Sequence, residues 1–190
     1  MYIENNIMAS IDIIEEVSKY IGSVALPKID PNTQAPEIQK DQSYGLENAV
    51  IPALLLGFYK HTRNEEQAAE VLNEHDPDKI LDLLFVDKKT NIIKSVAAYS
   101  RISEETATAE MKKAITDIKI VLEREIKNKD GKTLSSFFTD QRSNILKHLP
   151  AELNMGEFVN DPSADDRTNK MEGPMSGMMH SIEKIFSSTK

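Results

Sequence analysis

The chain has 190 residues, with 23 Lys+Arg against 31 Asp+Glu and a formal net charge of -8. It carries no cysteine, which excludes disulfide scaffolds, zinc–thiolate sites, iron–sulfur clusters and thiol catalysis. An acidic surface repels phosphate backbones, and only 7 glycines leave little material for phosphate-cradling loops.

From about Asn5 to Val24, the residues Ile7, Ile11, Ile14, Val17, Tyr20, Ile21 and Val24 follow helical spacing along one stripe. The start is neither basic nor continuously apolar, so it does not read as a secretory signal. Pro27, Pro31 and Pro36 then punctuate a polar stretch, which predicts a loop over 26–43. Loops of that length inside a compact domain either move or carry function. The run Ala49–Tyr59 is apolar throughout but shorter than the about 20 residues a membrane span needs. It predicts a central core helix from about Tyr44 to His61, bent where Pro52 removes a backbone donor.

Asn64 followed by Gln67 has the form of a capping box, with Ala68, Ala69, Val71 and Leu72 facing inward. Asp76-Pro77 is a second helix start, because a side-chain oxygen caps and proline suits the first helical position. A further helix runs from about Lys89 to Tyr99. Ser103 caps the longest one, with Glu104 and Glu105 where the helix dipole favours acids. Its apolar positions Ala107, Met111, Ala114, Ile115, Ile118, Leu122 and Ile126 recur every three or four residues. Asp130-Gly131 reads as the turn that ends it. A short helix over Leu134–Thr139 and another, capped by Asp140 and stopped by Pro150, complete the body. No segment alternates with period two, so the fold class is all-α: a compact bundle of six to eight helices. Val17-x-x-Tyr20 and Val96-x-x-Tyr99 each precede a long helix, a recurrence that would make the domain two related halves.

Composition changes near Ala151. Few aliphatic residues lie between Asn154 and Gly173, while Asp161-Pro162, Asp165-Asp166 and Gly173-Pro174 do. The division is a helical domain over 1–153, a flexible tether over 154–174 and a C-terminal amphipathic helix over 175–190.

The stretch from Leu134 to Pro150, with Gln141 leading to Leu149-Pro150, resembles the signature of the YidB-like bacterial domain of unknown function, the family numbered nine-three-seven. Ile51-Pro52-Ala53-Leu54-Leu55-Leu56-Gly57 is similar to that family's proline-containing core helix. Glu66-Gln67-Ala68-Ala69-Glu70-Val71-Leu72 is similar to the helix that follows it, and Val17-Ser18-Lys19-Tyr20-Ile21-Gly22 to its first segment. The resemblance covers roughly residues 10–153. The helix after Ser103 departs from it, being charged at Lys112, Lys113, Asp117, Lys119, Glu123 and Arg124 where the family is small and apolar. What the resemblance implies is an all-helical fold with no established activity.

The inventory for chemistry is thin. His61, His75 and His148 fall at predicted helix ends, where an imidazolium interacts favourably with the last carbonyls. Neither these nor His180 belong to a zinc-hydrolase or di-metal spacing. The pairs Glu15/Glu16, Glu65/Glu66 and Glu104/Glu105 read as solvated first-turn acids. Asp161, Asp165 and Asp166 lack the glycine and the distal Glu of a calcium loop. There is no Gly-x-Ser-x-Gly elbow. Lys112, Lys113, Lys119, Arg124, Lys127, Lys129 and Lys132 form the best basic cluster. Asp117 and Glu123 interrupt it and no aromatics interleave, so it reads as a solvated face rather than a nucleic-acid site. No catalytic residue, cofactor or metal is expected.

The last segment carries Met178, Met179, Ile182, Ile185 and Phe186 along one stripe. Full burial of each would contribute about 1.5–3 kcal/mol. Ordering about ten backbone residues costs about 1–2 kcal/mol apiece. The totals nearly cancel, so this helix forms only when docked, either on the chain's own core or in a groove on another protein, and methionine anchors suit an imperfect groove. Its few lysines argue against a membrane surface. The sequence thus points to a cytoplasmic, non-enzymatic interaction module that docks through this stripe on a protein partner or a second copy. Alternatives of other classes are a small-molecule-binding or catalytic domain with its site under loop 26–43, and a subunit of a larger bacterial assembly.

Overall fold

The computed structural model describes residues 11–23, 25–28 and 42–159. Among these the chain forms eight α-helices and two short 3-10 turns and no strand, the all-α bundle that the spacings predict. The helices are α1 (Ile13–Tyr20), α2 (Gln42–His61), α3 (Glu65–Asn73), α4 (Pro77–Phe85), α5 (Lys89–Ser100), α6 (Glu104–Glu125), α7 (Gly131–His148) and α8 (Met155–Val159). The 3-10 turns are Val86–Lys88 and Ala151–Leu153.

Helix α2 is the axis of the fold. Every residue from Ala49 to Phe58 except Pro52 and Gly57 belongs to the buried hydrophobic core, so no polar face is left on this stretch. A helix apolar all round must be enclosed, and α4, α5, α6, α7 and α8 enclose it. Gly57 permits the approach of α4, because a Cβ there would sit 2.8 Å from the Phe85 ring. The Phe58 and Phe138 rings stack with centroids 5.6 Å apart, joining α2 to α7, and Phe137 meets Phe138 edge-on.

Three of the predicted caps are in place. Asn64 accepts from the Glu66 and Gln67 amides, Asp76 from Asp78 with Pro77 in the first turn of α4, and Ser103 from Thr106. Val17 and Val96 are fully buried, each in a shorter helix that precedes a long one.

Three expectations change. The first helix was expected from Asn5 to Val24. Among the described residues it is Ile13–Tyr20, begun by Asp12, whose side chain accepts from the Ile14 amide at 3.0 Å. The region after Asp130 was expected as two helices, yet α7 is continuous. Asp130-Gly131 starts this helix rather than ending the previous one: the Asp130 carboxylate accepts from Thr133 at 2.8 Å. Gly131 lets the α7 start press on α3, where a Cβ would fall 2.0 Å from the Glu65 carbonyl oxygen. Asp140 lies exposed within α7, since no glycine or proline interrupts the backbone there. Finally, the stretch expected as a tether from Asn154 begins as α8. Met155 is fully buried, Val159 nearly so, and the Lys60 ammonium donates to the Phe158 carbonyl at 3.1 Å.

Candidate functional site

A surface cleft lies between the start of α4 and the middle of α6. It is a shallow depression of about 150 Å³, lined by His75, Pro77, Ile80, Ile115, Thr116, Lys119, Ile120 and Glu123. Its floor is apolar because Ile80 and Ile115 belong to the core, and Ile120 is part-exposed at its edge. One buried cation stands beside it. Lys119 was expected on a solvated basic face, but its side chain turns inward. Its ammonium donates to the Val71 carbonyl at 2.9 Å and to the Leu72 carbonyl at 2.5 Å. Those carbonyls belong to the last turn of α3, which its own backbone cannot satisfy, so Lys119 caps a neighbouring helix from the side. Burial lowers its pKa from the ordinary lysine range, while Glu123 and Glu74 pull it back up. An amine already engaged by two carbonyls is a structural donor rather than a nucleophile.

Two other members of the expected basic face pair with separate partners. Lys112 pairs with Asp78 at 2.7 Å, and Arg124 pairs with Glu16 at 2.9 Å and with Glu125 at 2.6 Å. Glu16 also accepts from Lys19 at 2.7 Å; that bond leads the influences holding its carboxyl below the usual range.

The histidines diverge from their expected role. His61 and His148 do end α2 and α7, but both are buried, and burial lowers their pKa below the ordinary imidazole range. They are neutral rings at neutral pH rather than imidazoliums balancing a helix dipole. His75 lies between α3 and α4 and is exposed. Among the described residues no group of three or more His, Asp or Glu side chains could hold a metal ion. No helix among them is long and apolar enough to cross a membrane.

Sequence reasoning named Gln141 only within a family resemblance and missed its role. Its side chain, 3% exposed, accepts from the Ile13 amide at 3.0 Å and donates to the Ile11 carbonyl at 2.6 Å, so it grips the backbone on both sides of Asp12. A glutamine on the apolar stripe of a helix was the available signal, since a buried amide requires partners. The expected docking residues Met178, Met179, Ile182, Ile185 and Phe186 lie outside the described residues, as do 29–41 of the expected loop and the acids Asp161, Asp165 and Asp166.

Fold and surface together define a helical bundle packed around one enclosed helix. No family model, curated protein or solved structure matches the chain.

Proposed function

We propose that this protein is a non-enzymatic helical interaction module whose C-terminal stripe, Met178, Met179, Ile182, Ile185 and Phe186, docks on a partner protein or on a second copy. Support comes from how little apolar surface the body leaves uncovered. Among the described residues the large exposed hydrophobics are Tyr20 at 42%, Val86 at 73% and Ile120 at 40%, one each on α1, the turn after α4, and α6. A five-anchor stripe needs a continuous groove to bury it, and three single side chains supply much less. On this reading the complement of the stripe belongs to another molecule. A place in a larger bacterial assembly would be one way to meet it, and a cytoplasmic setting belongs to the same reading on sequence grounds.

The test compares the full chain with a form lacking 175–190. Far-UV circular dichroism and the melting transition should match, while self-association by light scattering and capture by the native partner should be lost together with the segment. Association that survives the deletion overturns the reading.

A further inference from the structure

Helix α7 holds the N-terminal part of the described chain at two points. Gln141 grips Ile11 and Ile13 ahead of α1. Two turns further along the same face, His148 Nδ1 lies 3.2 Å from the Pro27 carbonyl oxygen, beyond the other end of α1. Between them the segment 25–28 is seated by Leu26, which is 6% exposed.

The two grips differ in chemistry. Gln141 does not titrate. At His148 the partner is a carbonyl, which can only accept, so the neutral ring carries its proton on Nδ1. That leaves Nε2 as the basic nitrogen, and it is buried with no hydrogen-bond partner among the described residues. A proton arriving there would create an imidazolium with one N–H unsatisfied in the interior. We infer that His148 is a proton-sensitive latch: protonation at Nε2 releases the 25–28 segment from α7, while Gln141 keeps the start of α1 in place.

The charged groups facing the ring are Asp12 and Glu15 from α1 and its cap, and Lys28 from the segment itself. Burial is the largest influence and holds the ring below the ordinary imidazole range, Lys28 adds to it, and the two carboxylates and the Pro27 carbonyl oppose it. The carboxylates do not contact Nε2, so they do not satisfy the new N–H. Opening the latch lets the ring reach water.

Methyl NMR on the full chain reads the latch at the Leu26 side chain, which packs in the core. Cross-relaxation between the Leu26 methyls and the core should fall by about tenfold or more between about pH 8 and about pH 5, while core amides of α2 stay protected. In H148N, whose amide nitrogen can take the place of Nδ1 and donate to the Pro27 carbonyl, the pH-dependent fall should vanish. In the unmodified chain the midpoint should coincide with the His148 ring titration followed by nitrogen NMR, a reading that does not depend on the variant folding. An equal fall in H148N, no fall in the unmodified chain, a ring midpoint that differs from the Leu26 midpoint, or loss of protection across α2 at the same pH would each overturn the inference.

Discussion

The ammonium of Lys119, on α6, lies 2.9 Å from the carbonyl oxygen of Val71 at the end of α3. With the neighbouring Leu72 carbonyl it closes a helix end that would otherwise meet the cleft unsatisfied. Hydrogen bonds from a charged donor contribute about 1.5–3 kcal/mol, and part of that offsets the cost of burying the amine. Lys119→Met should therefore lower stability by about 1–2 kcal/mol, seen as a lower urea midpoint with an unchanged m-value. A midpoint at or above that of the parent would mean that burying the charge outweighs the cap.

Gly131 and Gly57 make a graded pair. At Gly131 a methyl group would meet the backbone of α3, which cannot turn aside, whereas at Gly57 it would meet the edge of the Phe85 ring, which can. Gly131→Ala should destabilise by about 3 kcal/mol and Gly57→Ala by about 1 kcal/mol, as thermal and urea unfolding would show. The reverse order would place the tighter contact at α4.

Val86 adopts φ 43° and ψ -119° as α4 ends. This is the mirror image of the extended region, open to glycine but strained for a β-branched residue. Its side chain is mostly exposed, so little burial is lost on removing it. Val86→Gly should raise stability by about 1 kcal/mol, a change of several degrees in Tm. A lower Tm would show that the turn holds Val86 for a contact worth more than the strain.

The buried histidines set the direction of the pH dependence. His61 and His148 bind a proton less readily folded than unfolded, because burial disfavours the charged ring. Their neutral contribution is complete above the unfolded value of about 6.5 and is lost as pH falls through it, so the urea midpoint should drop between about pH 7 and about pH 5. His61→Gln should make that drop shallower. An identical drop would assign the acid sensitivity to other groups.

How much could be read from the sequence follows from the range of each interaction. Asn64, Asp76 and Ser103 cap amides two or three residues away, so their roles are written locally, and the continuous apolar run of α2 announces its enclosure. Lys119 and Gln141 find their partners 48 and 128 residues away, which no spacing along a helix encodes. The start of α7 was misread for a related reason. Asp-Gly suits a turn and a helix start alike, and the close approach of Glu65 that selects the second is a tertiary event. The histidines were placed correctly at helix ends, but their charge depends on burial that only the packed bundle supplies. The candidate docking stripe was legible solely as a pattern, because its counterpart lies on another molecule in the proposed reading.

The grip of Gln141 on Ile13 also orders events in time. A chain emerging from the ribosome presents Ile13 long before residue 141 exists, so α1 waits without its seat while the middle of the bundle assembles around α2. The first of the described helices is then seated only once α7 is made, and synthesis that stops short of α7 leaves Ile13, Ile14 and Val17 without its cover, for chaperones and proteases to find.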